Sequence, residues 1–367
     1  MSPLAPLFRE SLQLSATEAG ILVAVPVLLG SVARIPIGIL TDRFGGRIVF
    51  SALMGVVAVP LVFIGLATSY TLLLFWAFWL GLAGASFAVG IPYVSRWFAP
   101  GQQGFALGIY GMGNIGTALA ASVAPRVAAS TGLTSAFWVF LFPLLGMAVL
   151  FFALGREAPG ALFRVRSMAE ELHFIRRRPL SWVLSLFYFV TFGGFVAISI
   201  YLPTYLVDAY GLEKTDAATR AAGFVVMATL ARPLGGYLAD RRGGDNVLTW
   251  AFVVVAILAV VLAFQPGMVV LTVAFLGIAA VVGIGNGAVF KLVAQYFPQE
   301  AGVVSGVVGA AGGLGGFFPP VVMGLVKDIT GTYAVGFMLL SEFALACLII
   351  NLLVVQGRGS ALTPPGA

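Results

Sequence analysis

Long apolar runs separated by short polar stretches occupy most of this sequence. A helix needs about 20 apolar residues to cross the hydrocarbon core of a bilayer. Backbone inside lipid must satisfy its own hydrogen bonds, which restricts spanning segments to helices or a closed barrel. The runs are continuous rather than alternating, which indicates helices. They predict eleven spans, at 17–40, 47–67, 71–95, 103–126, 134–154, 181–207, 218–240, 246–264, 268–292, 301–324 and 333–355.

The composition indicates that lipid, not water, surrounds the folded chain. Hydrophobic residues make up 60% of the sequence and charged residues only 9%, whereas soluble domains average about half apolar and about a quarter charged. The single cysteine, Cys347, excludes a disulfide framework and a cysteine metal site, and we expect no metal and no cofactor. The basic residues behind the net charge of +6 sit in loops between spans. The expected partner is therefore membrane lipid and not nucleic acid.

A polar stretch with six arginines divides the chain. Twelve basic residues lie on its side of the predicted spans and five on the opposite side. The positive-inside rule then places this stretch in the cytoplasm, with the chain in the plasma (inner) membrane of a bacterium. The expected organisation is an N-terminal helical half at 1–155, a linker at 156–180, a C-terminal helical half at 181–357 and a tail at 358–367.

An internal repeat with a constant offset of 198 residues relates the two halves. The matching pairs are Arg34 and Arg232, Asp42 and Asp240, Pro100 and Pro298, Gly104 and Gly302, Gly108 and Gly306, and Gly111 and Gly309. A single offset across several helices indicates a parallel duplication, with the halves related by an axis along the membrane normal. In transporters built this way the substrate site lies near the middle of the membrane, between the repeats.

The repeat also predicts that the first helix is truncated. By the same offset, the span at 181–207 has a partner that would begin before Met1, and only its last turns, 201–204, fall opposite 3–6. We therefore expect an all-α membrane protein of two six-helix pseudo-symmetric halves with about eleven complete spans. A late start codon or a fragment is the favoured explanation, rather than a natural eleven-span design.

Two loops with the same pattern of glycine, acid and base end the second span of each half. One runs from Gly38 to Arg47 and the other from Gly236 to Gly244. They resemble the signature loop of the major facilitator superfamily, and its double occurrence makes the resemblance strong. Glycine permits a tight turn, and acid and base at a helix end can form ion pairs. A gating or structural role is expected for Gly38, Asp42, Arg43, Arg47, Asp240 and Arg241.

Arg34 and Arg232 each lie eight residues before a signature aspartate. That spacing places each arginine about 12 Å from the end of its helix. Charges at such depth are costly and normally face a cavity on a substrate path. A guanidinium stays charged and binds planar oxyanions through two parallel hydrogen bonds. The pair therefore predicts an anion site, and the alternative is helix packing in which each arginine donates to backbone carbonyls.

Glycine-rich stretches occur at 104–116 and, 198 residues later, at 302–316. Residues 111–116 match the dinucleotide pattern GxGxxG, but no strand or βαβ unit surrounds them, so we reject a nucleotide site. Small residues every three or four positions let helices approach closely, and this explains most of the glycines. Asn114 is different, because a buried amide requires hydrogen-bond partners.

These stretches resemble the paired nitrate signatures of the nitrate/nitrite porter family. Arg34 and Arg232 fall where that family has its two substrate arginines, and 84–88, 188–195 and 285–291 resemble further stretches of it. The resemblance covers essentially the whole chain apart from the missing first helix. It implies nitrate or nitrite as substrate, sandwiched between two phenylalanine rings. The implied binding residues are Arg34, Arg232, Phe87, Phe192, Tyr188, Asn114 and Lys291. For Phe87 and Phe192 the alternative is ordinary packing, and for Lys291 it is a side chain that extends to the membrane surface.

Several functional alternatives remain open at this stage. The mechanism is either nitrate/nitrite exchange or proton-coupled nitrate uptake. Exchange is weakly favoured because His173 lies in the linker and Glu342 lies off the expected central path. A small-carboxylate antiporter for oxalate or formate is the second transporter candidate. An enzyme is disfavoured, because no catalytic constellation occurs at membrane depth, and a transporter-like sensor lacks a signalling domain. A non-functional fragment is the last alternative, and members of the superfamily are commonly monomers.

Overall fold

The computed structural model describes residues 4–159 and 168–356, and no strand occurs within those ranges. It describes their side chains except at 6, 16, 17, 20, 168, 171, 172, 214, 215 and 318–328. The predicted all-α fold is therefore confirmed for the part of the chain that the structure describes.

Among the described residues, nine helices precede the polar stretch. They are α1 (Ala5–Ser11), α2 (Ala16–Val32), α3 (Arg34–Phe44), α4 (Gly46–Phe63), α5 (Tyr70–Leu80), α6 (Ser86–Ser95), α7 (Gln103–Gly111), α8 (Ile115–Thr131) and α9 (Leu133–Leu154). Short 3₁₀ segments follow α4, α5 and α7, at Ile64–Leu66, Gly81–Ala85 and Met112–Asn114. Consecutive pieces such as α5 and α6 thus form one long span, Tyr70–Ser95, that is locally tightened at the 3₁₀ segment.

Eight further helices complete the described chain. They are α10 (Met168–Arg176), α11 (Pro179–Tyr188), α12 (Gly194–Tyr210), α13 (Lys214–Arg242), α14 (Gly244–Ala263), α15 (Met268–Tyr296), α16 (Ala301–Thr330) and α17 (Ala334–Ile350). A π-helical turn, Phe189–Gly193, joins α11 to α12, and another, Asn351–Gln356, extends α17. Single π turns inside α-helices recur at functional sites.

Within residues 4–159 and 168–356, ten helical stretches are long and apolar enough to cross a membrane. They are Ile21–Phe44, Gly46–Leu66, Tyr70–Ser95, Gln103–Thr131, Leu133–Leu154, Pro179–Tyr210, Asp216–Arg242, Gly244–Ala263, Met268–Tyr296 and Ala334–Gln356. A shorter apolar stretch, Ala301–Phe317, lies where the remaining span was predicted. The chain is therefore a multi-pass membrane protein, and the predicted span boundaries agree with the observed ones to within a few residues.

The helices form two compact units that exchange sequence segments. Unit 1 contains Met1–Trp97, Asn114–Phe174 and Pro298–Ala310. Unit 2 contains Phe98–Gly113, Ile175–Phe297 and Ala311–Ala367. Each unit thus includes α-helical residues from the other half of the sequence: the start of α16 in unit 1, and α7 in unit 2.

These exchanged segments make the same close helix crossing in each unit. In unit 1, α16 lies so near α3 that a Cβ on Gly306 would be 3.0 Å from Ile35 Cα. In unit 2, α7 lies so near α13 that a Cβ on Gly108 would be 2.6 Å from Pro233 Cα. Gly108 and Gly306 are one of the pairs of the repeat found in the sequence. The duplication seen in the sequence therefore gives each unit an equivalent close approach of two helix backbones.

Glycine also ends the two helices that carry the signature loops. Gly45 follows α3 and Gly243 follows α13, each with a φ of +85°. This left-handed region strains residues that have a Cβ. The two glycines are 198 positions apart, so the turn belongs to the repeat as well.

Filling the close crossing of unit 2 should destabilise the protein. In a Gly108→Ala variant the new methyl would meet the Arg232 carbonyl oxygen at 2.6 Å, so the two backbones must separate. Overpacking of this kind costs typically about 1–3 kcal/mol. Thermal unfolding of the purified protein should show a clear fall in Tm.

Gly146 supplies the matched control, because a Cβ built there meets no described atom within 4 Å. A Gly146→Ala variant should leave Tm unchanged or slightly raised, since alanine favours the helix. Equal effects of the two substitutions would contradict the close-crossing assignment.

Candidate functional site

Arg232 lies buried in unit 2 against two aromatic rings. Its side chain is 2% exposed, and its Nη1 donates a hydrogen bond to the Gly111 carbonyl oxygen at 3.2 Å. The guanidinium carbon lies 5.4 Å from the centre of the Phe192 ring and 5.6 Å from that of Phe195. Both distances fall in the range of cation–π attraction, which strengthens when the groups are shielded from water.

The aromatic rings beneath Arg232 support one another. Phe192 stacks on Tyr188 with ring centres 4.9 Å apart and an interplanar angle of 4°. Phe290 of α15 meets Tyr188 edge-on, with ring centres 4.7 Å apart. Phe192 belongs to the π-helical turn, and Tyr188 is the residue immediately before it. Arg232, Tyr188, Phe192, Phe195 and Phe290 are hereafter called the Arg232 cluster.

Arg34 occupies the equivalent position in unit 1. Its side chain is 8% exposed, and its Nε donates a hydrogen bond to the Gly84 carbonyl oxygen at 2.9 Å. Its Nη1 donates to the Gly309 carbonyl oxygen. Gly84 lies in the 3₁₀ segment Gly81–Ala85, and Phe87, which is half-buried, follows three residues later. The structure thus places Arg34 and the start of α6 side by side.

Glycines of the two predicted nitrate signatures lie directly against the arginines. A Cβ on Gly111 would be 3.0 Å from Arg232 Cδ, and a Cβ on Gly309 would be 2.9 Å from Arg34 Cδ. The carbonyl oxygens of these same glycines accept the arginine hydrogen bonds. These are the contacts that the packing alternative predicts. A guanidinium has several donors, and a carbonyl oxygen carries no net charge, so such bonds orient the cation without neutralising it.

Asp42 caps the exchanged helix of unit 1. Its carboxylate accepts hydrogen bonds from the backbone N–H groups of Gly302 at 3.1 Å and Val303 at 2.8 Å. Arg96 adds an ion pair at 3.0 Å. Carboxylates are favourable at helix N-termini, where backbone N–H groups lack helical partners. Asp42 therefore fixes the start of α16 against the end of α3.

Asp240 makes the same contacts in unit 2. Its carboxylate accepts from the N–H groups of Gly104 at 2.9 Å and Phe105 at 2.8 Å, at the start of α7. Its basic partner is Lys291 of α15, whose Nζ lies 3.1 Å from Oδ1. Both side chains are at least 95% buried. The two signature aspartates thus have equivalent backbone partners but different basic partners.

Lys291 lies with Asp240, at a different level from the Arg232 guanidinium. Its Nζ also donates to the Pro100 carbonyl oxygen. Because eight helical residues separate Arg232 from Asp240, these levels differ by about 12 Å. Lys291 is 4% exposed, so its ammonium is shielded from solvent by the surrounding side chains. The ion pair was not predicted from the sequence.

The other signature-loop residues lie nearer the surface. Arg47 donates from Nε to the Phe152 carbonyl oxygen at 2.9 Å. Arg43 and Arg241 are exposed and lie over the rings of Phe44 and Tyr237, respectively. Asp42 and Asp240 are thus buried against helix starts, whereas Arg43 and Arg241 are exposed. The gating or structural roles of all the signature-loop residues stay predictions.

Asn114 ends the 3₁₀ segment after α7 and is half-buried, whereas a buried amide was expected. Asn286, within the stretch 285–291, received no predicted role, and it is 2% exposed. A polar residue flanked by glycines in an apolar span is the signal that could have identified it. Arg96 was missed because no motif links it to Asp42.

Comparison with known proteins gives the same family assignment. A sequence model described as the Major Facilitator Superfamily matches residues 1–320. The "Nitrite extrusion protein" of Bacillus subtilis is 41% identical over 340 residues, which are 92% of this chain and 85% of that protein. The "Probable nitrate/nitrite transporter NarK2" of Mycobacterium tuberculosis is 42% identical over 354 residues, 95% of this chain and 90% of the relative. The "Probable nitrate transporter NarT" of Staphylococcus epidermidis is 39% identical over 349 residues, with 95% and 90% covered.

Solved structures share the fold at low sequence identity. The Escherichia coli fucose:proton symporter FucP gives a TM-score of 0.78 at 19% identity, covering 96% of this chain and 93% of FucP. The proton:xylose symporter XylE gives 0.77 at 15% identity, covering 96% and 91%. The chain therefore belongs to the Major Facilitator Superfamily, and within it to the nitrate/nitrite porter family, whose members are transporters and not enzymes. The resemblance seen in the sequence is confirmed.

Neutralising Asp240 should destabilise unit 2. An Asp240→Asn variant leaves the Lys291 ammonium buried without its counter-charge, which costs typically about 3–5 kcal/mol. Adding Lys291→Met removes that ammonium and should recover part of the loss. A double-mutant cycle on the Tm of purified protein measures the coupling.

The control pair is Asp216 and Arg220, an exposed i,i+4 ion pair at 3.1 Å. Asp216→Asn should change the free energy of unfolding by about 0.5 kcal/mol or less, because exposed pairs contribute little. A coupling free energy between Asp240 and Lys291 no larger than the effect of Asp216→Asn would contradict a stabilising role for the buried ion pair.

Proposed function

We propose that this protein transports nitrate, nitrite or both across the membrane by alternating access. The observation that carries the proposal is the pair of buried arginines, Arg34 and Arg232, which occupy equivalent positions in the repeat. The names of the relatives agree with it, because they describe nitrite extrusion and nitrate transport. Buried cations at this depth favour an anionic substrate over a cationic one.

The chemistry of the Arg232 cluster suits a small planar anion. A guanidinium can give two parallel hydrogen bonds to adjacent oxygens of nitrate. Phe192 and Tyr188 present flat rings beside that guanidinium, and such rings match the flat, weakly basic anion better than a strongly hydrated one. Arg34 and Phe87, both in unit 1, are proposed as further substrate-binding residues, with a guanidinium and a ring of the same chemistry.

Asn114 and Lys291 have smaller proposed roles. The Asn114 amide, half-buried after the 3₁₀ segment, would donate a further hydrogen bond to the anion. Lys291 was expected to add positive charge at the site, but its ammonium is balanced by Asp240. We therefore propose that Lys291 acts on transport by holding α7 against α13, and not by touching the substrate.

Exchange of nitrate for nitrite is the favoured coupling. Proton-coupled uptake requires an ionisable relay in the membrane. Glu342 of α17 and His173 of α10 are both exposed side chains, which makes them poor members of a buried relay. The proposed setting is the bacterial inner membrane, with residues 156–180 on the cytoplasmic side, as the distribution of basic residues favours.

Replacing either buried arginine by lysine should abolish most transport. Lysine keeps the positive charge but loses the planar two-point donor. In proteoliposomes preloaded with nitrite, Arg34→Lys and Arg232→Lys should each reduce the initial rate of nitrate uptake by roughly tenfold or more, equivalent to about 1.4 kcal/mol.

Arg220→Lys, at the exposed ion pair, is the matched control and should retain normal uptake. Uptake by the parent protein that needs a proton gradient but no internal nitrite would replace exchange by symport. Uptake of oxalate or formate but not nitrate would favour the small-carboxylate alternative. Normal nitrate uptake by both arginine variants would refute the proposed site.

Removing the ring of Phe192 should weaken substrate binding more than it weakens folding. Phe192→Leu keeps an apolar side chain but removes the cation–π contact with Arg232, worth about 0.5–2 kcal/mol. The KM for nitrate should rise severalfold, whereas Tyr188→Phe, which keeps its ring, should change KM less. Phe252→Leu makes the same substitution elsewhere in the core of unit 2, beside Phe187. It should lower Tm without raising KM, and an equal rise in KM there would contradict a specific role for Phe192.

A further inference from the structure

Asn286 is a buried amide without a hydrogen-bond partner among the described residues. It lies in α15 between Gly285 and Gly287, and its side chain is 2% exposed. Neither Nδ2 nor Oδ1 has a partner within the part of the chain that the structure describes. Buried side-chain polar groups are nearly always paired, and an unpaired one destabilises the fold. This amide therefore needs an explanation other than stability.

The neighbours of Asn286 in α15 direct its side chain toward the Arg232 cluster. Residues three and four positions apart share a helix face. Three positions earlier, a Cβ on Gly283 would meet the Ala231 side chain at 3.0 Å. Four positions later, Phe290 contacts Tyr188. The face that carries Asn286 thus lies against α13 on one side and against the rings of the cluster on the other.

The adjacent glycines place Asn286 at the level of Arg232. A Cβ on Gly287 would be 2.5 Å from the Arg232 carbonyl oxygen, and one on Gly285 would be 2.8 Å from Thr191 Cγ2, inside the π-helical turn. Thr229, one turn before Arg232, is also fully buried, and its hydroxyl has no partner among the described residues. Two polar side chains without a partner among the described residues therefore lie within about one helical turn of the Arg232 backbone.

The repeat gives this position no polar counterpart. The residue 198 positions before Asn286 is Ala88, which is fully buried in α6. The arginines, signature aspartates and glycines are duplicated, whereas this amide occurs in unit 2 alone. Asn286 therefore adds a donor and an acceptor to only one of two otherwise equivalent arginine positions.

We propose that Asn286 is a substrate-positioning residue of the Arg232 site. In the substrate-loaded state its Oδ1 accepts from the Arg232 guanidinium and its Nδ2 donates to an oxygen of the bound planar anion. This inference rests on the proposed anion transport. It explains why a destabilising amide is retained at a fully buried position of α15.

The test separates a positioning role from a packing role. Asn286→Leu replaces the unpaired amide by an apolar side chain of similar size, and Asn286→Ala copies the residue at position 88. Initial rates of nitrate uptake are measured in nitrite-loaded proteoliposomes, and Tm is measured on the same purified proteins. The inference expects an unchanged or raised Tm for Asn286→Leu, with KM raised at least tenfold and the maximal rate changed less. If Asn286→Leu fails to fold, Asn286→Ala gives the KM comparison.

Asn351 is the control, because it is an equally buried amide whose Nδ2 is paired, unlike that of Asn286. Its Nδ2 donates to the Asp245 carbonyl oxygen at 2.8 Å and to Thr249 Oγ1 at 2.9 Å. Asn351→Leu should lower Tm and leave KM unchanged. Unchanged KM in both Asn286 variants, or a lower Tm without a KM effect, would overturn the inference. No nitrate or nitrite uptake by the parent protein would instead refute the proposed function.

Discussion

Each unit depends on one close contact between two helices. In that contact, glycines of one helix pack against the backbone of the helix that carries the buried arginine. α16 approaches α3 in unit 1, and α7 approaches α13 in unit 2, at distances that only glycine permits. Such closeness brings backbone carbonyl oxygens within reach of the guanidinium of Arg34 or Arg232. A side chain larger than hydrogen at these crossings would move the carbonyls away and leave a costly charge without them.

Each unit holds its charges through backbone groups of the exchanged segment. The arginine donates hydrogen bonds to carbonyl oxygens farther along that segment. The signature aspartate accepts hydrogen bonds from N–H groups at the start of the helix. The negative, carbonyl end of the peptide dipole thus meets the arginine, and the positive, N–H end meets the aspartate, about two helical turns apart along the same pair of helices. The hydrogen bonds described for Arg34 and Arg232 go to backbone carbonyl oxygens, which carry no net charge. The basic side chains at the aspartates, Arg96 and Lys291, are where the two units differ.

The sequence predicted the spans, the duplication and the superfamily, because apolar length and a constant offset are properties of the chain itself. It did not predict the pairing of Lys291 with Asp240, since the equivalent aspartate in unit 1 takes Arg96, which is not at the position equivalent to Lys291 in the repeat. The π-helical turn at Phe189–Gly193 was also missed, because helical turns with different hydrogen bonding share the same apolar pattern. Asn286 was overlooked because its importance lies in the absence of a partner among the described residues, which only packed coordinates show. The substrate roles of Arg34, Arg232, Phe87, Phe192, Tyr188 and Asn114, and the role now proposed for Lys291, stay predictions.

The most direct test of the account is anion-specific stabilisation of the purified protein. Ligand that binds only the folded state raises its stability by about 2.7 kcal/mol at a concentration 100 times Kd. At constant ionic strength, Tm is measured against increasing nitrate, nitrite, formate, oxalate and chloride. The account predicts a saturable rise in Tm with nitrate or nitrite, and little change with the other anions. No anion-specific rise, or a larger rise with oxalate or formate, would contradict a site built for a small planar nitrogen oxyanion.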